Sequence, residues 1–171
     1  KILKAGGDNL EEDIELIEPV AETKWGPARI ATGEAEIVGP RSYHNLAARY
    51  VVMAVPILSP ANDDEEWDGE NTDEDALHVL DTGLRTCYRS SFRLVKNTGM
   101  EGVGVPTVTT KEGGKVYERT LRIGLQTVIE EAKTTRLKSI DYIASSEKEA
   151  KILIKMAHTI GLVVAKAEEE P

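Results

Sequence analysis

Beyond residue 74 the apolar positions of the chain recur three times with a helical period, separated by short apolar runs of strand length. Leu77, Leu80, Leu84, Tyr88 and Phe92 follow one another at spacings of three and four, which predicts a helix whose core-facing stripe ends near Asn97-Thr98-Gly99. Thr72 stands at its N-cap, and Asp73, Glu74 and Asp75 put negative charge into the first turn, where the helix dipole favours it. A second helix is predicted from about Val116 to Lys133, with Tyr117, Leu121, Leu125, Val128 and Ile129 facing inward. Ser146 and Glu149 have the spacing of a capping box and open a third helix, with Ala150, Leu153, Ile154, Ala157 and Ile160 inward and Gly161 as its stop. The runs Gly102–Pro106, Ser139–Ala144 and Leu162–Lys166 read as strands between and after these helices.

Toward the amino terminus the first clear element is Arg29–Val38, whose second half alternates small or apolar with charged residues before the turn at Gly39-Pro40. After Arg41-Ser42-Tyr43-His44, the run Tyr50–Val55 is apolar on both faces and ends at Pro56, as a central strand covered by helices should. From residue 50 onward the order is strand, helix, strand, helix, strand, helix, strand. That order predicts an α/β fold with a mainly parallel sheet and right-handed crossovers. Ligands of such sheets sit beyond the carboxyl ends of the strands, which here selects the loops 56–60, 107–115 and 145–146. With no internal repeat and no Pro/Gly/Ser linker, residues 1–171 read as a single domain carrying an acidic insertion at 59–75.

Charge narrows the choice of partner. Thirty acids against 21 bases give a net charge of −9, a field that repels phosphate backbones and anionic headgroups and argues against nucleic-acid binding. No apolar run approaches the ~18 residues of a membrane span, so direct membrane insertion is not expected. Residues 63–75 hold nine of the acids and no base, so the remainder of the chain is neutral overall. Cys87 is the single cysteine, which excludes an intrachain disulfide and a multi-cysteine metal site. A reducing intracellular compartment is favoured: cytoplasm or nucleus, or an organelle where a transit peptide preceded Lys1.

Among the three loops, 107–115 carries the most chemistry. Thr107, Val108, Thr109, Thr110, Gly113, Gly114 and Lys115 lie between a strand end and a helix start, where backbone N–H groups and the positive end of the helix dipole suit a phosphate. It is not a P-loop, because Val116 follows Lys115 where a magnesium-binding hydroxyl belongs. An ordinary hydrophilic loop has the same composition. His44, His78 and His158 lack any ligand-like spacing and read as surface or rim histidines, and Cys87 reads as a small core residue. The acidic tract lacks the ligand register of an EF-hand and reads as a solvated loop. Trp67 among Asp63, Asp64, Glu65 and Glu66 has no core to enter, so these five residues are the candidates for contact with a protein partner of basic surface.

The stretch Ala28-Arg29-Ile30-Ala31-Thr32-Gly33-Glu34-Ala35, followed by Tyr43-His44-Asn45-Leu46 and the strand Tyr50–Pro56, resembles a macro domain, the ADP-ribose-binding module. Val105-Pro106-Thr107-Val108-Thr109-Thr110, the glycine loop and Arg122-Ile123-Gly124-Leu125 resemble the second phosphate-binding segment of that family and the helix after it. The likeness runs over roughly residues 5–165 and rests on the order of its motifs. It implies a three-layer α/β/α sandwich with a mixed, mainly parallel sheet. It also implies binding of ADP-ribose or a related nucleotide diphosphate by Thr107, Val108, Thr109, Thr110, Gly113, Gly114, Lys115, Val116 and Tyr117, with Ser145 at the distal end of the site. No further cofactor is implied.

The departures from the family pattern are specific. Macro domains open with two strands that carry an adenine-binding aspartate, an asparagine-rich motif and a glycine-rich loop. Ala5-Gly6-Gly7 resembles only the stretch just after that block. Met53 stands in the place of the strand-end histidine and Val55 in that of the glycine before proline, while Lys111 follows Thr109-Thr110 where the family has glycine. The amino-terminal half of the ligand site is therefore expected upstream of Lys1 or lost, and ADP-ribosyl hydrolysis, which depends on it, is implied only where those motifs precede the chain. A degenerate macro fold acting as a non-catalytic accessory subunit, with the acidic tract making its contacts, is the alternative.

Overall fold

The computed structural model describes residues 2–24, 26–56, 74–108 and 114–162, with the side chains of Gly114 and Lys115 outside the description. The elements run α1 (Ile2–Glu15), β1 (Ala21–Thr23), β2 (Gly26–Ala28), β3 (Ala35–Val38), β4 (Val51–Ala54), α2 (Glu74–Lys96), β5 (Gly102–Pro106), α3 (Gly114–Ala132), β6 (Ser139–Ile143) and α4 (Glu147–Thr159). From β4 onward this is the predicted alternation of strand and helix. Two compact units divide the chain, one of residues 1–57 and 86–99 and the other of 58–85 and 100–171, so α2 gives its second half to the first and its first half to the second.

In the first unit β1 pairs with β2 and β3 with β4, both antiparallel, the second pair in register Ala35↔Ala54 to Val38↔Val51. The strand expected over 29–38 is shorter than its sequence pattern. Residues 29–34 form a turn, with Gly33 at φ 83 and its N–H donating to the Val55 carbonyl at 2.7 Å. β4 is half-buried along its whole length. The core is built from Leu10, Val38 and Tyr43, packed by Ile14, Ile17, Leu46, Val51 and Met53. Gly39 lies at φ 104, and a Cβ there would collide with the Arg49 carbonyl oxygen, so the turn after β3 admits no side chain at this position. The helix α1 was not expected. Its apolar positions Leu10 and Ile14, with Ile17 just after its end, keep helical spacing, but the helix breaks at Gly7, whose φ of 60 and ψ of −163 separate its two parts.

In the second unit β5 and β6 are parallel, in register from Gly102↔Ser139 to Pro106↔Ile143, with α3 as the crossover between them. Among the described residues the pairing is thus mixed, antiparallel in the first unit and parallel in the second. Leu80, Leu84, Val116 and Ile123 form one core cluster, with Leu77 and Val108 packed on it. Tyr117, Leu121 and Leu153 form a second, covered by Tyr142, Ala144, Ile152 and Met156. The predicted stripe of α2 is buried at Leu80 and Leu84 in this unit and at Tyr88 and Phe92 in the first, where Cys87 is buried as well. Burial pushes the Cys87 thiol up to about 11, which keeps it protonated and unreactive.

Two helix ends follow their sequence signals closely. The Ser146 hydroxyl accepts from the Glu149 N–H at 3.2 Å and caps α4. At its other end Gly161, at φ 81, donates to the His158 carbonyl while Leu162 donates to that of Ala157, the paired bonds of a Schellman stop. The inward face of α4 differs from the expected one at two places: Ile154 and Ile160 are exposed, and Glu149, Leu153 and Met156 face in. The expected last strand, apart from Leu162, and the Thr72 cap lie outside the described residues.

Candidate functional site

The carboxyl ends of β5 and β6 and the first turns of α3 and α4 converge on one side chain, that of Glu149. It is 1% exposed. The Ser145 hydroxyl and the Tyr117 phenol donate to its Oε2 at 2.7 and 2.8 Å, the Ser145 N–H donates to its Oε1 at 3.2 Å, and the Thr107 hydroxyl also donates to Oε1. Burial raises the carboxyl pKa, but the hydrogen bonds from Ser145, Thr107 and Tyr117 outweigh it and hold Glu149 below its ordinary 4.5. The group is therefore an anion at neutral pH, and an anion accepts from hydroxyls without donating to them.

Each contributor is placed by its element. Thr107 is the residue after β5, and its N–H continues the parallel ladder by donating to the Ile143 carbonyl at 3.0 Å. Ser145 sits two residues past the end of β6 and one before the α4 cap. Tyr117 lies in the first turn of α3, its ring buried against Leu121 and Leu153. Glu149 itself stands at the third position of α4, where its carboxylate reaches past the cap to Ser145 instead of folding back on Ser146. The capping-box spacing thus locates the helix start correctly while the glutamate serves a different set of donors.

The structure brings together three of the residues expected at a ligand: Thr107, Tyr117 and Ser145 meet at Glu149. Val108 and Val116 are placed otherwise, in the apolar cluster with Leu80, Leu84 and Ile123. Gly114 and Lys115 open α3, whose first residue lies eight residues beyond the last residue of β5. Thr109, Thr110 and Gly113 lie outside the described residues, as do Asp63, Asp64, Glu65, Glu66 and Trp67 of the acidic tract. Glu149 is the residue that sequence reasoning missed as part of this site. Its signal was one of two acids, with Glu147, in the first turn of a helix, which capping explains equally well.

A separate polar cleft of ≈ 520 Å³ lies in the first unit, lined by Gly6, Gly7, Asp8, Asn9, Ser42 and His44. Beside it Arg41 donates to Asn9, Glu12 and Asp13 at 2.9–3.0 Å, and the Tyr43 phenol donates to Asp13 at 2.7 Å. His44 between β3 and β4, His78 in α2 and His158 in α4 are all exposed. Among the described residues no three His, Cys, Asp or Glu side chains gather where they could hold a metal ion, and no helix is long and apolar enough to cross a membrane.

No protein-family model matches the chain. A macro domain-containing protein of Caldanaerobacter subterraneus is 29% identical over 154 residues, which span 90% of this chain and 75% of the relative. Among solved structures, a mutant of the Oceanobacillus iheyensis macrodomain superposes with a TM-score of 0.68 at 19% identity, over 93% of this chain and 74% of that one. The fold is that of a macro domain. The same Oceanobacillus macrodomain solved with ADP gives a TM-score of 0.65 at 19% identity, over 93% of this chain and 73% of that one. The Trypanosoma brucei macrodomain in complex with ADP-ribose gives 0.54 at 23% identity, over 76% of this chain and 47% of that one. The α/β class and the mixed strand pairing are those that the resemblance implied; among the described residues two pairs are antiparallel and one is parallel.

Proposed function

We propose that the chain recognises ADP-ribose or a related nucleotide diphosphate, with the phosphates seated between the carboxyl end of β5 and the first turn of α3. The observation that carries this reading is the tie through Glu149, which joins the residues after β5 and β6 to the start of α3 within a macro-domain fold. Solved macrodomains of this fold hold ADP and ADP-ribose. α3 is 19 residues long, and the free N–H groups and positive dipole end of such a helix attract a phosphate. Both N–H and hydroxyl of Thr107 and of Ser145 are already donating within the fold. The proposed phosphate contacts are those expected from the sequence of the 107–115 loop, with Thr109, Thr110, Gly113, Gly114 and Lys115 around the phosphates.

The reading is one of recognition. Calorimetry with ADP-ribose tests it. Saturable binding is expected, with loss on Gly114→Glu, which sets a carboxylate against the phosphate, and no change on deleting residues 62–70. Binding that survives Gly114→Glu unaltered would place the ligand elsewhere.

A further inference from the structure

The hydrogen bonds around Glu149 have a consequence for affinity. Three segments, the one after β5, the first turn of α3 and the one after β6, all donate to this one carboxylate of α4, which ties them together beside the apolar packing of Tyr117 and Leu121 on Leu153. Thr107 and Tyr117 lie 42 and 32 residues from Glu149 in sequence. Four donors and two carboxylate oxygens close the set. A neutral amide cannot replace that acceptor, because its NH₂ faces hydroxyl groups whose protons already point inward and forces some of them to turn.

We propose that Glu149 is the positioning residue of the ligand site: its carboxylate, without touching the ligand, sets the geometry of the segments that follow β5 and β6 and thereby the affinity for the phosphate-bearing ligand. This rests on the reading that the ligand binds at these strand ends. Coulomb's law alone gives the opposite sign, since an anion close to a bound phosphate repels it and its removal strengthens binding. Positioning predicts that removal weakens binding, so the direction of the change decides between them. It also distinguishes positioning from a structural contribution, which lowers the melting temperature and leaves the dissociation constant of the folded protein unchanged.

The test uses the whole chain with Glu149→Gln and Glu149→Asp, and Glu149→Ala as a third variant. ADP-ribose is titrated by calorimetry at a temperature where circular dichroism shows each variant folded, and amide hydrogen exchange is followed without ligand. Glu149→Gln is expected to weaken ADP-ribose binding about tenfold, the scale of one misdirected buried hydrogen bond, with Glu149→Asp recovering part of the loss. Exchange at the Thr107 and Ser145 amides rises in Glu149→Gln while that of the Leu10–Ile14 amides of α1 stays put. Unchanged or tighter ADP-ribose binding by Glu149→Gln overturns the proposal. Absence of ADP-ribose binding by the unaltered chain overturns the functional reading on which it rests; unchanged exchange at Thr107 and Ser145 in Glu149→Gln overturns the positioning role whatever the ligand result.

Discussion

Asp13 in the first unit and Glu149 in the second are two carboxylates held below their ordinary pKa by different means. The Tyr43 phenol does most for Asp13, partly opposed by burial and assisted by the hydrogen bond and charge of Arg41. Arg41 is itself 40% exposed and shared with Asn9 and with Glu12, which is 61% exposed. Glu149 has four neutral donors and is itself buried. The first arrangement is partly redundant: the contacts of the exposed Arg41 can be lost to solvent and replaced by it, while the Tyr43 phenol is buried. In the second, loss of the acceptor leaves donors with nothing to bind, and the low local dielectric makes each such orphan costly. Buried polar order that is this exacting is found where a fold must hold separate segments in one geometry.

The largest effect that would sharpen this contrast is that of Glu149→Ala, which is expected to lower stability by about 2–4 kcal/mol through orphaned donors and a small cavity, read by urea denaturation. Gly39→Ala follows at about 2–3 kcal/mol, because a side chain at φ 104 is strained and its Cβ meets the Arg49 carbonyl and the Tyr43 hydroxyl; the same denaturation measures it. Tyr43→Phe removes one hydroxyl from the fully buried ring and is expected to cost about 1 kcal/mol. Arg41→Ala is expected to be the smallest, a melting-temperature shift within about 2 °C, since exposed ion pairs contribute little. A drop for Arg41→Ala as large as that for Glu149→Ala would break the comparison.

Titration behaviour separates the two carboxylates from their neighbours. Glu149 and Asp13 both have depressed pKa values in the folded chain, so their contribution to stability is complete above the ordinary carboxylate range and is lost as pH falls through the lower folded values. Tyr43 acts in the opposite direction. Burial first, and then the hydrogen bond to Asp13, push its phenol up from 10.0 to about 12, so its contribution is complete below pH 10 and is lost as the pH rises to about 12. A pH series of denaturation curves is expected to show that alkaline slope in the unaltered chain and its disappearance in Tyr43→Phe.

Much of the second unit was legible because its elements are long and periodic. The part of the α2 stripe at Leu80 and Leu84, the strand Gly102–Pro106 and the Ser146 cap each follow from local spacing, and local spacing is what a chain displays directly. The helix α1 was hidden by Gly6-Gly7, a pair that reads as a loop and is in fact a break within a helix. The turn at residues 29–34 was hidden by β-branched and charged residues that suit a strand equally well, until the bond from Gly33 to Val55 and that from the Ser90 hydroxyl to the Gly33 carbonyl decide it. The part played by Glu149 depends on partners 32 and 42 residues away, and no local pattern encodes a hydrogen bond over that separation. Val108 and Val116 show the complementary error: they stand beside polar ligand candidates in sequence, yet their side chains belong to the core.

The central claim is a location, and amide chemical-shift mapping tests it most directly. In a titration of isotope-labelled protein with ADP-ribose, the shifts are predicted to concentrate at Thr107, Val116, Tyr117 and Ser145, at the ends of β5 and β6 and the start of α3. The amides of Gly6, Gly7, Asn9 and His44, around the cleft of the first unit, are predicted to stay where they are. Saturable shifts confined to that cleft, or none at millimolar ADP-ribose, would contradict the account.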